Sequence, residues 1–377
     1  MPATNTFDEL ASAFPFWASL GLVPFVWLAA IMGGWTFLLI PISTWVLFSL
    51  LDAIVGHDVT NANPETPEKR LFWHRLITLV WPPVQILTIF GAIGLMVQGG
   101  NLSIPEMFTV AFGIGVLSGT IGIVYAHELM HQSSRAERLL GDVLMTLALY
   151  GHFRSEHLLV HHRFVGTPRD PVTARYNESF LAFFPRVLWQ CLVSSWNAEA
   201  DLQARRNRPV WHPTNPFWRY LGFSALWLTL AFAVGGGLGV ALFVFQSFIA
   251  VWQLELVNYV EHYGLTRRHL GDGRYEPTRP HHSWNVSKLA SNRLLINLQR
   301  HSDHHTKPAR RYPLLQTYSE DEAPQLPHGY PVMTAMAMIP PLWRRRMNPR
   351  VRAWRSRFYP DIDDWKAYSS GRHPTPA

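Results

Sequence analysis

Apolar positions in this 377-residue chain gather into long runs, with the polar positions collected between them. A bilayer core takes about 20 helical residues to cross. Runs over 16–30, 36–54, 72–97, 107–125, 217–233 and 238–257 fit that length, the first being short enough for a tilted or re-entrant helix. Three of the gaps are brief: Met32-Gly33-Gly34, the stretch 98–105, and Gly235-Gly236-Gly237. Each predicts a helical hairpin. Two longer polar segments, 132–215 and 263–377, follow the fourth and sixth runs. The pattern predicts an all-α integral membrane protein of one domain, 1–377, with about six transmembrane helices and a helical cap.

Composition and charge sharpen that picture. Charged residues are 16% of the chain and hydrophobic residues 48%, against about 25% charged in ordinary soluble domains. Lys and Arg number 33: 3 at 69–75, 10 within 132–215, Arg219, and 19 within 263–377. The loops near 31–35, 98–105 and 235–237 carry none. The positive-inside rule therefore turns those loops away from the cytoplasm and leaves both termini and the long polar segments in it, which requires an even number of spans. The formal charge of +7 and pI near 9.7 are read as arginines facing anionic headgroups rather than nucleic acid. Arg344-Arg345-Arg346 after the apolar stretch 333–343 reads as an interfacial segment. One cysteine, Cys191, excludes an intrachain disulfide and a cysteine-ligated iron–sulfur cluster. The segment before the first run lacks the basic n-region of a cleaved signal peptide, so that span is expected to stay.

Nine of the 18 histidines stand in four short stretches: HELMH (His127, His131), EHLLVHH (His157, His161, His162), NYVEHYG (His262) and RHSDHH (His301, His304, His305). Neutral imidazole is the commonest metal ligand, and nine exceed what a single tetrahedral zinc takes. The stretches sit at the cytoplasmic ends of the fourth and sixth runs and in the segments after them, so they can converge at one depth. A site for two metals is predicted. His127 and His131, like His157 and His161, stand four apart and share a helix face; spacing alone leaves His262 open. Glu128, Glu156, Glu261 and Asp303, neighbours of these histidines, are candidates to orient imidazole N–H groups, as is His282 within 281–285. With no thiolate at hand, imidazole shells suit zinc, copper, iron or nickel, and helical histidine repeats at a membrane face suggest iron for O2 activation.

HELMH alone also matches the zinc protease pattern with Glu128 as base, but that site leaves most of the histidines unused. A metal transporter would line a path near the midplane, whereas these cluster at one face.

At these residues the chain resembles the integral-membrane alkane 1-monooxygenases (alkane ω-hydroxylases), within the wider histidine-box fatty-acid desaturase and hydroxylase group. The narrower likeness rests on Asn258-Tyr259 with Glu261-His262-Tyr263-Gly264-Leu265, and on Leu298-Gln299-Arg300-His301-Ser302-Asp303-His304-His305. Thr167-Pro168, Asp170-Pro171, the stretch 280–285, Leu326-Pro327 and Gly329-Tyr330-Pro331 strengthen it. It covers the chain from about Asp52 to Pro349. Val160 stands where the family often has Gly, and Met130 and Gln132 flank His131 where it often has Gly and Lys. Neither change removes a ligand; both bear on packing near the metals.

The resemblance implies that all nine histidines, His262 included, bind a non-haem di-iron pair. It implies terminal hydroxylation of medium-chain n-alkanes drawn from the bilayer, a step in hydrocarbon degradation. O2 is then the cosubstrate, and electrons come from rubredoxin, itself reduced by an NADH-dependent flavoprotein reductase. No CxxC pair occurs in the chain, so the donor is a separate protein. Rubredoxin is acidic, which makes Arg300, Arg310 and Arg311 candidate docking residues. The implied location is the bacterial inner membrane, with the active site on the cytoplasmic side. Trp45, Phe48 and Leu129 are candidate channel residues. The competing reading is a related oxygenase acting on aromatic methyl groups or fatty acyl chains.

Overall fold

Backbone in lipid must satisfy its own hydrogen bonds, so apolar runs of this length become helices. In the computed structural model, which describes residues 6–374, α1 (Thr6–Met32), α2 (Gly34–Val55), α3 (Glu68–Gly99) and α4 (Ile104–Met130) follow one another as long apolar helices. Helix α1 runs 27 residues, so the first span is of ordinary length rather than short. The cap opens with α5 (Arg135–Leu147), a helical segment α6 over 153–164, and α7 (Phe180–Ala204). Then comes α8 (Phe217–His262), 46 residues long.

Helix α8 reconciles five long helices with the six expected passes. Its backbone breaks at Gly236, with φ 57° and ψ −149°, a region open essentially only to glycine. Trp227 before the break and Phe243 after it both pack on Phe90 of α3, at 6.0 and 5.3 Å. The two halves therefore double back side by side, as the runs 217–233 and 238–257 predict.

Past α8 the cap contains a short hairpin, β1 (His269–Gly271) and β2 (Arg274–Tyr275), the only sheet among the described residues. Five short or medium helices complete it: α9 (Leu289–Leu294), α10 (His301–Thr306), α11 (Tyr330–Ala337), α12 (Pro340–Phe358) and α13 (Trp365–Ser369). The segment 333–343 is only partly exposed. Met333, Ala337 and Trp343 are buried in the protein, and Met338, Ile339 and Leu342 form the exposed edge.

Helices α4 and α8 hold the centre. A side chain at Gly115 would meet Gln246 O at 2.7 Å, so only glycine lets the two backbones approach this closely. Polar bridges seal the contact: Ser118 Oγ and Gln246 Oε1 are 3.1 Å apart, and Gln253 Nε2 donates to Val116 O at 2.9 Å. This pairing brings the end of α4, with His127, level with the end of α8, with His262.

Candidate metal centre

Each histidine stretch lies at a helix end that faces the same interior point. Helix α4 continues past the apolar run to carry His127, with His131 at its C-cap; α8 ends on His262; α10 begins on His301. The nine rings assemble into two groups. His127, His131, His157, His162 and His304 form the first, and His161, His262, His301 and His305 the second; within each, the candidate ligand atoms lie within 4.8 Å of one another.

Spacing four apart places His127 with His131, and His301 with His305, in one group each. It fails for His157 and His161, which part company. The backbone from His157 to His161 is a π-helical turn, with His162 N–H bonded to His157 O. That i→i+5 closure puts His157 and His162 on one face, their Nε2 atoms 3.0 Å apart, and sends His161 to the other group.

The inward Nε2 atoms confront one another rather than partner with carbonyls or carboxylates. Nε2 atoms pair at 2.9 Å (His131, His157), 3.1 Å (His162, His304), 3.2 Å (His262, His301) and 3.0 Å (His301, His305). Buried His127 Nε2 finds no hydrogen-bond partner among the described residues. A chain of imidazoles cannot supply a donor and an acceptor at every such contact. Ligands at right angles around a metal, with bonds of about 2.1 Å, would lie about 3.0 Å apart, so the observed spacing suits nitrogen shells around two ions. Burial, reinforced by the neighbouring rings, holds His131, His157, His162, His301, His304 and His305 well below the usual histidine range. These six are neutral, the form that ligates.

The outer contacts differ from the expected set. Asp170, unremarked by spacing, accepts from His161 Nδ1 at 3.0 Å and from Thr173 Oγ1 at 2.6 Å. Its sequence signal was only the Asp170-Pro171 pair. Glu261 Oε1 lies 3.3 Å from His301 Nδ1. Glu156 is fully buried, and neither carboxyl oxygen has a hydrogen-bond partner among the described residues. Glu128 turns to Gln132 Nε2 at 3.0 Å, and Asp303 to Arg310, Gln316 N–H and Tyr318 Oη. His282 stands in a separate cluster with Glu276 and His281. There Arg279 N–H donates to His282 Nδ1, leaving the proton on Nε2, which faces Tyr359 Oη at 2.7 Å. That hydroxyl, also 3.2 Å from His281 Nε2, fills the place a metal would take.

The neighbours of His282 brace the centre. Asn285 Oδ1 accepts from Ser302 N–H at 2.9 Å at the start of α10, and Trp284 N–H donates to Glu261 O at 3.0 Å. The segment thus stitches the end of α8 to α10. Replacing Asp170 by asparagine is expected to weaken metal retention about 10–100-fold, the usual cost of losing the partner of a ligating histidine. Metal left after dialysis against a graded chelator measures this; unchanged retention would remove Asp170 from that role.

Two of the docking candidates need correction. Arg300 is buried and donates to Leu315 O at 2.7 Å, while Arg311 is buried between Glu137 and Glu68. Their charges are consumed inside the fold and offer nothing to a partner. Arg310 is paired with Asp303.

One cavity reaches both groups. His127 and His157 of the first and His301 of the second line it, together with the apolar Trp45, Ile123, Leu254 and Val257. Trp45 is therefore in its wall. Phe48 and Leu129 are not among the lining residues described, and Leu129 is fully buried in the helix packing.

Residues 105–337 match the fatty acid desaturase family. The chain is 39% identical to alkane 1-monooxygenase 1 of Pseudomonas aeruginosa, over 91% of each chain. It is 34% identical to an alkane 1-monooxygenase of Acinetobacter baylyi, over 82% of this chain and 76% of that one. Identity to the xylene/toluene monooxygenase hydroxylase component of Pseudomonas putida is 27%, over 89% of each.

Proposed function

The chain belongs to the fatty acid desaturase family and, within it, to the alkane 1-monooxygenases, and from that premise we propose that it hydroxylates the terminal carbon of medium-chain n-alkanes with O2. The observation that carries this reading is the apolar cavity, lined by residues of membrane-spanning helices and of the cap and by His127, His157 and His301. An alkane offers no polar handle. A narrow apolar passage that admits it end-on therefore does the selecting, by shape and exclusion of water. The aromatic-methyl alternative has a weaker basis, since the relative named for xylene and toluene is more distant than the alkane enzymes.

The residues divide the work. The nine histidines would hold two iron ions: five nitrogens converge in one group and four in the other. Iron held there would supply O2 activation, with rubredoxin and its NADH-dependent flavoprotein reductase as the source of electrons. Asp170 fixes the ring of His161 through Nδ1, leaving Nε2 to point inward. Glu261 stands where it can orient His301 in the same way. The neutral rings keep their lone pairs free at cellular pH. Overall the alkane, O2, two electrons and two protons yield a primary alcohol and water. We read residues 1–377 as one catalytic domain in the bacterial inner membrane, with the arginine-rich cap and the metal centre on the cytoplasmic side.

Metal analysis of the detergent-purified protein, paired with n-octane turnover under NADH, reductase, rubredoxin and O2, tests the proposal. Two irons per chain and 1-octanol are expected; zinc alone, without iron, would overturn it. The cavity makes a second prediction. Trp45 lines the wall and packs edge-on against Phe112 at 6.3 Å, so Trp45→Ser should lengthen the passage and shift turnover toward longer alkanes. A product profile unchanged from hexane to hexadecane would remove Trp45 from chain-length selection.

A further inference from the structure

Helix α7 has its pattern reversed over its second half. Its inward positions recur every three or four residues and end in Cys191, Ser195, Glu199 and Gln203, all buried. Its outward face carries Leu181, Trp189, Leu192 and Val193, which are 71, 67, 40 and 38% exposed. A helix on a water-facing surface turns its polar stripe outward. This one presents a largely apolar face, with Gln190 and Asn197 also exposed on it, and buries Ser195, Glu199 and Gln203, which is the arrangement a lipid environment selects.

Three further observations identify lipid as the occupant. Phe184 packs on Phe248 at 5.9 Å, and Phe248 is an exposed residue of membrane-spanning α8. The outward edge of α7 is thus continuous with the apolar belt of a span. Trp211 and Trp218, both exposed and 5.9 Å apart, sit beyond its C-terminal end, and tryptophan favours the bilayer interface. Exposed Arg205, Arg206 and Arg208 follow directly, where anionic headgroups would meet them. Both ends of α7 lie near the level of the histidines. Phe180 packs on Tyr259, three residues before His262, and Glu199 Oε1 accepts from Ser155 Oγ at 2.6 Å, two residues before His157. A helix whose two ends share one level does not cross the membrane.

We propose that α7 lies in the plane of the bilayer interface, its outward face in the acyl region, and that the membrane holds its polar inner face against the second histidine stretch. The Ser155–Glu199 contact is the link between lipid and metal centre. This places within lipid a segment whose position between two runs would assign it to the aqueous cap.

Full-length protein in nanodiscs of phosphatidylcholine and phosphatidylglycerol provides the test. Cysteines introduced singly at Trp189, Leu192, Val193 and Asp201, in a Cys191→Ala background, would carry nitroxide labels for collision measurements with oxygen and a water-soluble nickel chelate. Labels at 189, 192 and 193 are expected to favour oxygen, with the ratio reversed at exposed Asp201. Nickel accessibility at 192 and 193 equal to that at 201 would place the face in water, and dipolar broadening between singly labelled copies would make it a protein interface; either overturns the proposal. Should the Cys191→Ala background fail to fold, the native chain serves in vesicles of dibrominated phosphatidylcholine. There the parent should lose a larger fraction of its tryptophan fluorescence than Trp189→Phe, and equal fractional quenching would overturn the proposal.

Discussion

His301→Ala is expected to reduce alkane hydroxylation to background and to strip the second metal position selectively. His301 sits at the crossing of the centre: its Nε2 meets those of His262 and His305 at 3.2 and 3.0 Å, and its ring also lines the cavity. Losing a histidine's outer partner typically costs about 10–100-fold in metal affinity, and losing the ligand itself should exceed that. The first group retains all five of its nitrogens. Iron content should therefore fall toward half while the detergent-purified protein stays monodisperse. Half-buried His212, which bonds locally to Thr214, provides the control: His212→Ala should keep full iron and full activity. Retention of both irons and of 1-octanol formation in His301→Ala would contradict the two-group assignment.

Arg311→Ala should produce the largest loss of stability, about 3–5 kcal/mol, the usual effect of removing one partner of a buried ion pair. The guanidinium grips Glu137 with two bonds, 2.8 and 3.0 Å, and reaches Glu68 Oε1 at 3.2 Å. The Glu137 side chain is only 2% exposed. Arg75, 3.3 Å from Glu137, compensates in part and argues for the lower end of that range. Burial raises the Glu137 carboxyl, but the hydrogen bonds and charges of Arg311 and Arg75 outweigh it, and the net shift is downward. A carboxylate lowered in the folded state contributes stability above its unfolded value and loses it as pH falls through the folded one. The variant should therefore melt lower at neutral pH and lose less than the parent on acidification. Parallel acid profiles would show that the pair is not the source. Arg311→Lys should recover only part of the loss, because an ammonium cannot reproduce the bidentate fork.

Much of the molecule was legible before folding. Lipid leaves an apolar run no choice but helix, so runs and glycine gaps marked the passes, including the turn at Gly236 inside what became one 46-residue helix. The histidines were legible for a different reason: so many imidazoles in four short stretches is a chemical statement that needs no coordinates. Motif neighbours were less reliable. Glu128 and Asp303 stand beside ligands in sequence yet turn to Gln132 and Arg310 in space, while Asp170, nine residues from His161, touches it. Adjacent residues on a helix point about 100° apart, so being next in sequence argues against sharing a target.

The sequence by itself determined a helical membrane protein with a dense set of histidines, able to bind metal, at one end of its spans. Which histidine serves which group was decided only by tertiary structure, because one π-helical turn at His157–His161 exchanges the partners that regular helical spacing implies. The fate of charge was decided there too. Arg300 and Arg311 read as surface cations in a polar segment, and became interior ones because carboxylates from distant segments, Asp58 and Glu137, closed on them. Hydropathy reports what a segment can tolerate; the packing of the other helices decides whether its two faces meet protein, water or lipid.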